Sequence, residues 1–432
     1  MTRTIGIDFG TTNTVVSLAR DRGEADLVSF VMEDDPFVAF RSALAYQRPH
    51  DDPHGRIVEA GPWAIEAYVE EPADTRFIQS FKSYAASPIF TETRILERRY
   101  VFEDLLSAFL LRMRAHAGET LAELPTQLVV GRPVNFAGLQ PDPDLALKRY
   151  QAAFARLGFS DIRYAYEPVA AAFFFARQLK ADATVLVADF GGGTSDFSLV
   201  RFERRGGTLI SKALSNAGVG LAGDAFDYRI IDNLVSPALG KGSNYKAFHN
   251  RLPVPNRYYS AFARWEQLAL LRTSRDMRDI RGLVRTADEP EKIARLVEIL
   301  DENFGYRLYQ SVTALKEALS AAEIARFSFA AGTIRIEGDV RRASFERWIA
   351  PELAAIEGAV DTALERAKLE PGEVDRVFLT GGSSFVPAVR AIFERRFGQA
   401  KLDGGAELTS IASGLALMGA EPDLDAWTER VA

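Results

Sequence analysis

Apolar and polar positions along the chain follow two periods. Alternation of the kind that marks strands runs through residues 5–8, 15–18, 127–133, 185–202, 327–336 and 375–382, the long stretch being broken by glycines. Spacing at three and four residues predicts helices from Trp63, over 103–117, 145–157, from Pro168, over 224–234, 257–272, 289–320, 343–368, from Pro387, and over 408–419. Pro168 and Pro387 stand at first turns, and Gly158 and Gly398 just past last turns. Residues 21–62 show neither period and read as irregular, and 240–320 read as helical without strands. Strands alternating with helices put the chain in the α/β class.

Two strand pairs share one turn chemistry. The first strand ends in Asp8, then Gly10, Thr11, Thr12 and Asn13 turn the chain. The run from Val185 ends in Asp189, then Gly191, Gly192, Gly193 and Thr194 turn it, and Asp196 opens the next strand. Glycines let backbone N–H groups approach a polyanion, and the threonine adds a hydroxyl donor. Asp8, Asp189 and Asp196 would repel phosphate, so a divalent cation is expected between Asp8 and Asp189. The recurrence about half a chain apart predicts two similar halves gripping one nucleotide tail. A third strand ends in Gly381 and Gly382. Ser383 or Ser384 is then expected to cap the helix from Pro387, giving another surface suited to a nucleotide.

Other features are plainer on their own. Lys82 reads as a surface charge, Glu167 as an ordinary helix start, and His50 with His54 as a solvated loop rather than a metal pair, because Pro49 and Pro53 break any helix aligning them. Gly218, Gly220 and Gly223 form a G-x-G-x-x-G without the acidic strand end a dinucleotide site needs, so they read as a turn into a helix. Gly240-Lys241-Gly242 lacks the rest of a P-loop. Lys316 and Ser320 share one helix face, and the small residues Ala412, Ser413, Gly414 and Ala416 suit a close crossing of the alanines 170–172, an expected hinge between halves.

Composition narrows the class. The 432 residues are 47% hydrophobic with net charge −7, enough for two domains and unsuited to sequence-independent nucleic-acid binding. There is no cysteine, which excludes disulfides and thiolate chemistry. Neither a secretory signal pattern nor a membrane-spanning run is found, and a cytoplasmic protein is expected.

In order, IGIDFGTTNT, VVGRPVNF, YEPVAAAF, VADFGGGTSDFSL, GLAGDAFD, FLTGGSSFVPAVR and the closing small-residue helix resemble the ATPase domain of the DnaK-like heat-shock-seventy chaperones. The chain looks most similar to YegD-type members, which consist of little more than that domain. The resemblance implies an actin-like ATPase (ribonuclease H-like) fold with two pseudo-duplicated lobes around a nucleotide cleft. Lobe I would span 1–178 with an inserted subdomain about 37–108, and lobe II 179–432 with a helical insertion about 224–320. It further implies ATP or ADP with Mg²⁺ held through water by Asp8 and Asp189, and the phosphates between residues 10–13 and 191–194. Lys82 would stabilise the γ-phosphate, while Glu167, Thr194 and Asp196 orient the attacking water. Gly223, Lys316, Ser320, Gly381, Gly382 and Ser383 would form the nucleoside pocket. Phe385 stands where the family carries an arginine against the base and offers a ring to stack on instead. Glu317 and Thr313 depart from the family pattern beside it. The sequence stops at Ala432 without the family's linker and peptide-binding domain, so peptide chaperoning is not part of the expectation.

A slow Mg²⁺-dependent ATPase is therefore the leading expectation. A nucleotide-gated module for protein partners with negligible turnover, a small-molecule kinase and a filament-forming actin relative are the alternatives.

Overall fold

The glycine turns close two antiparallel hairpins of matching geometry. Strand β1 (Thr4–Phe9) pairs with β2 (Asn13–Ala19) up to Phe9 opposite Thr14, and β2 pairs with β3 (Ala25–Leu27). On its other side β1 lies parallel to β4 (Gln127–Arg132), which lies parallel to β5 (Asp161–Tyr166). Helix α1 (Pro143–Ala155) links β4 to β5, and α2 (Glu167–Ala176) follows β5. The second half repeats the plan with β6 (Ala183–Phe190), β7 (Ser195–Arg205), β8 (Thr208–Val219), β9 (Arg376–Thr380), α3 (Pro387–Phe397), β10 (Leu402–Asp403) and α4 (Ser410–Gly419). Both sheets read 3-2-1-4-5 in their own strand order, with the same parallel and antiparallel neighbours. The short strand Phe40–Arg41 adds to the end of β2.

This computed structural model describes residues 4–431 apart from 21–22, 50, 53, 72–73, 126, 137–139, 178–180, 206–207, 264–267, 269–270, 272–273, 404–407 and 422. The chain divides into two compact units, one of residues 1–220, 358–384 and 393–432, the other of 221–357 and 385–392. Both five-strand arrays belong to the first unit. The division after Gly220 falls inside the expected second lobe, while the expected boundary at 178/179 and His50 lie outside the described residues.

Within the first unit each closing helix covers the sheet of the other half. Helix α4 lies on the first sheet so closely that a Cβ on Gly6 would stand 2.4 Å from the Ala416 nitrogen, and one on Gly419 2.0 Å from Thr4 Cγ2. Helix α2 sits in the core of the second sheet with Val185, Val187 and Phe378, and Phe175 stacks on Phe378 at 4.0 Å. The two helices touch backbone to backbone, since a Cβ on Gly414 would lie 1.9 Å from the Ala170 carbonyl oxygen. The alanine face expected for this crossing is the one used.

Several expectations are corrected. Residues 21–62 are not irregular: strands run at Ala25–Leu27, Phe30–Met32, Asp35–Phe37, Phe40–Arg41, Ala43–Gln47 and Ile57–Ala60, most too short to show a period. A hairpin, Asn244–Ala247 with Asn250–Pro253, interrupts the stretch expected to be helical. The run 289–320 is two helices, Pro290–Asp301 and Gly305–Ala321, parted where Asn303 turns left-handed at φ 59°. The run 343–368 is likewise Arg342–Trp348 and Ala350–Ala367. The strand expected at 327–336 is a hairpin, Ile324–Ala331 with Ile334–Arg341, turned at Gly332 with φ 53°. The helix expected over 224–234 is α-helical over Gly223–Ile230 and continues as a π turn, Ile231–Val235. Of 257–272 the helix Arg257–Ser260 is seen, and most of the remainder lies outside the described residues. No helix among the described residues is long and apolar enough to cross a membrane.

Candidate functional site

The two turns are four-residue loops closed alike. The Gly10 N–H donates to the Asn13 carbonyl at 3.0 Å, and the Gly191 N–H to the Thr194 carbonyl at 2.9 Å. Gly10 has no room for a side chain, because a Cβ would stand 2.3 Å from the Asn13 oxygen, whereas a Cβ on Gly193 would meet nothing within 4 Å. Ser42 braces the first loop, its hydroxyl donating to the Gly10 carbonyl at 2.7 Å and its N–H to the Thr12 carbonyl at 2.9 Å. Strand register places Asp8 opposite Val15 and Asp189 opposite Asp196, two residues before each loop begins.

Lys82 and Glu167, 85 residues apart in sequence, form an ion pair at 2.7 Å with both side chains only 9% exposed. Lys82 is thus buried, not the surface charge its isolated position suggests. It lies on the turn Phe81–Tyr84, while Glu167 opens α2 at the end of β5. Gly131 makes this possible from the neighbouring strand, since a Cβ there would come 3.0 Å from Glu167 Cγ. The Lys82 ammonium also lies 6.0 Å from the centre of the Phe9 ring. Burial works against its charge, but the carboxylates of Glu167 and Asp8 outweigh that and hold it above the ordinary lysine range.

The acids are shifted the other way. Burial, with Glu167 and Asp189 nearby, raises Asp8 well above the usual carboxylate range. Burial and Glu167 push Asp189 up to about 6 against the pull of the Thr380 hydroxyl, which donates to its Oδ1 at 2.6 Å. Burial, Asp189 and Glu167 push Asp196 up to about 7, although Thr194 Oγ1 donates to it at 3.2 Å. Three desolvated carboxylates whose charges oppose one another fit a cation. No group of three or more His, Cys, Asp or Glu side chains set to hold a metal directly occurs among the described residues. An ion here would keep much of its water shell, as Mg²⁺ does.

These shifts fix a pH dependence for the ligand-free protein. A carboxyl raised on folding stabilises fully below its unfolded value near 3.8 and loses that contribution as pH rises through its folded value, here about 6 for Asp189 and about 7 for Asp196. At roughly 1.4 kcal/mol per unit the two acids are worth several kcal/mol together at most. The melting temperature without ligand should fall between pH 5 and pH 8, and Asp196→Asn should flatten the slope. Calorimetric melts across that range test this, and an unchanged slope in Asp196→Asn would remove that residue from the effect.

The remaining expected residues divide between the units. In the first, Gly381 at φ 81° packs so closely that a Cβ would lie 2.0 Å from the Phe190 oxygen. Ser384 does not cap the helix from Pro387. Its N–H and hydroxyl both donate to the Gly381 carbonyl, at 3.1 and 2.6 Å, closing a tight turn over Gly382–Phe385 in which Ser383 is buried. In the second unit Lys316 is ion-paired with Asp227 at 2.8 Å and reaches the Gly223 carbonyl at 3.5 Å. The Ser320 hydroxyl donates to the Lys316 carbonyl one turn back, and Phe385 is half exposed. Thr313 Oγ1 lies 3.4 Å from Asp227 Oδ2. Sequence reasoning missed Ser42, Thr380 and Gly131. Thr380 could have been found from its place before the paired glycines on a strand parallel to the one bearing Asp189.

The family model described as Hsp70 protein matches residues 75–246 and 288–421. Chaperone protein DnaK from two strains of Thermus thermophilus is 24% identical over 412 residues, covering 92% of this chain and 57% of the relative. Chaperone protein DnaK from Prochlorococcus marinus is 23% identical over 413 residues, covering 92% and 56%. The chain thus spans a little over half the length of these relatives. It belongs to the Hsp70 protein family and has that family's actin-like ATPase fold.

Proposed function

We propose that this chain binds ATP with Mg²⁺ and hydrolyses it slowly to ADP and phosphate. The observation that carries the reading is the matched pair of four-residue loops at equivalent ends of two sheets of one topology, each preceded by an aspartate whose pKa is raised. Residues 10–13 and 191–194 take the phosphates with backbone and hydroxyl donors. Asp8 and Asp189 hold the ion through water. When bound, Mg²⁺ supplies charge neutralisation to the phosphate oxygens.

Lys82 has three ammonium donors, so it can keep Glu167 and still reach a γ-phosphate oxygen. Glu167, Thr194 and Asp196 hold the attacking water. Transfer to water needs positioning and charge more than covalent help. Gly381, Gly382 and Ser383 form a backbone turn on the nucleotide. The assignment of Gly223, Lys316, Ser320 and Phe385 to the nucleoside rests on the family match alone. We take the two sheets with their helices as the two lobes, 224–320 as the helical insertion and the α2/α4 crossing as the hinge.

Calorimetric titration with ATP, ADP and GTP in Mg²⁺, followed by phosphate release on the same sample, tests the proposal. The expected result is purine-nucleotide binding with release from ATP that needs no acceptor. Absence of binding to any purine nucleotide overturns it. Binding without release moves the chain to the nucleotide-gated interaction module, and release only with an acceptor to a kinase.

A further inference from the structure

The segment that carries Lys82 has little backbone support of its own. It is entered through Ser80 in a left-handed conformation, φ 56°, and continues in short turns, with Ala85 N–H to the Lys82 carbonyl, Ser87 N–H to Tyr84 and Phe90 N–H to Ser87, at 3.0 to 3.3 Å. No ladder strand joins residues 81–92 to a sheet. A turn of this kind, with Ile89 at its apex 92% exposed, would ordinarily be among the least stable parts of a protein. Yet an ammonium acting on a phosphate must be held to within about half an ångström.

Support comes from α1. Arg149 is 7% exposed, and its guanidinium is spent on the carbonyls of this segment: Nη1 donates to Tyr84, Ala85 and Ser87 at 3.0, 2.8 and 3.2 Å, and Nη2 to Phe90 at 2.6 Å. The Asp142 N–H at the start of the same helix donates to the Ala86 carbonyl at 2.8 Å. The guanidinium rests 5.8 Å from the Phe102 ring centre. A planar fork of donors can serve several carbonyls in fixed directions, which a lysine's point charge cannot. The next residue, Tyr150, is fully buried, its hydroxyl without a hydrogen-bond partner among the described residues, and its ring meets the edge of Phe9, the ring beside the Lys82 ammonium.

We propose that Arg149 is a positioning residue for the proposed hydrolysis, clamping residues 84–90 by their carbonyls so that Lys82 is held on Glu167 and ready for the γ-phosphate. Its consequence for turnover rests on the function proposed above; the clamp does not.

The test begins with the wild type. Hydrogen exchange should show peptide 82–90 protected, although past the single 3-10 turn Phe81–Tyr84 it lies in no helix or strand ladder. In Arg149→Lys, which keeps the charge and loses the fork, exchange of that peptide should quicken about tenfold. Acylation of Lys82 by acetic anhydride should rise about as much, while that of Lys316, ion-paired with Asp227 in the second unit, stays the same. ATP turnover should fall about ten- to a hundredfold with ATP affinity changed less than about threefold, the mark of a displaced catalytic group. Open-loop exchange of 82–90 in the wild type overturns the inference, and this measurement decides alone if the variant does not fold. Unchanged Lys82 acylation in the variant overturns it too, as does a parallel rise at Lys316, which would mean general loosening. If the wild type releases no phosphate, the function proposed above fails, and exchange and acylation still decide the clamp.

Discussion

Lys82→Ala will lower ATP turnover at least about a hundredfold, the usual cost of removing one preorganised electrostatic donor from a phosphoryl-transfer site. The change also leaves the Glu167 carboxylate without the partner it meets at 2.7 Å, and stranding half of a buried pair commonly costs about 3–5 kcal/mol. The two effects separate in a double-mutant cycle with Glu167→Gln. The double variant should recover most of the melting temperature lost by Lys82→Ala and none of its turnover. Asp189→Asn should show a turnover loss of similar size. Wild-type turnover in both Lys82→Ala and Asp189→Asn would remove these residues from the mechanism.

Gly414→Val will destabilise the first unit by more than about 3 kcal/mol, beyond the usual range for overpacking. No rotamer relieves the clash, because the added Cβ itself would lie 1.9 Å from the Ala170 oxygen and the backbones must part. Gly414→Ala should be nearly as harmful for the same reason. Denaturant melts followed by fluorescence check this. A midpoint within error of the wild type would mean that the two helices do not cross as described.

Much of this was legible in the sequence because the turn chemistry is local. Asp8 with Gly10 and Asp189 with Gly191 announce themselves within five residues, and the small residues of α4 announce a close crossing. The fold that follows from their duplication is the one found, with the same strand order in both halves. What escaped was long-range or short-lived in pattern. Nothing near Lys82 points to Glu167, because the pair exists only once β4, β5 and the turn Phe81–Tyr84 come together. Arg149 hides in the same way, on a helix whose other buried residues, Ala146, Leu147, Tyr150, Ala153 and Phe154, follow ordinary apolar spacing. The strands Phe30–Met32 and Asp35–Phe37 are three residues each, and Pro36 in the second argues against a strand. The hairpin Asn244–Ala247 with Asn250–Pro253 is largely exposed, so it lacks the buried alternation that betrays most strands.

Helices α2 and α4 occupy the same place in their respective halves, each following the fifth strand of its sheet, and they meet each other. That is how a contact across a twofold axis is built, the same element facing its own copy. In a dimer of separate halves such a contact would obey mass action and open on dilution. Here one continuous chain contains both partners, so the junction between the two glycine-loop halves has the same strength at any protein concentration.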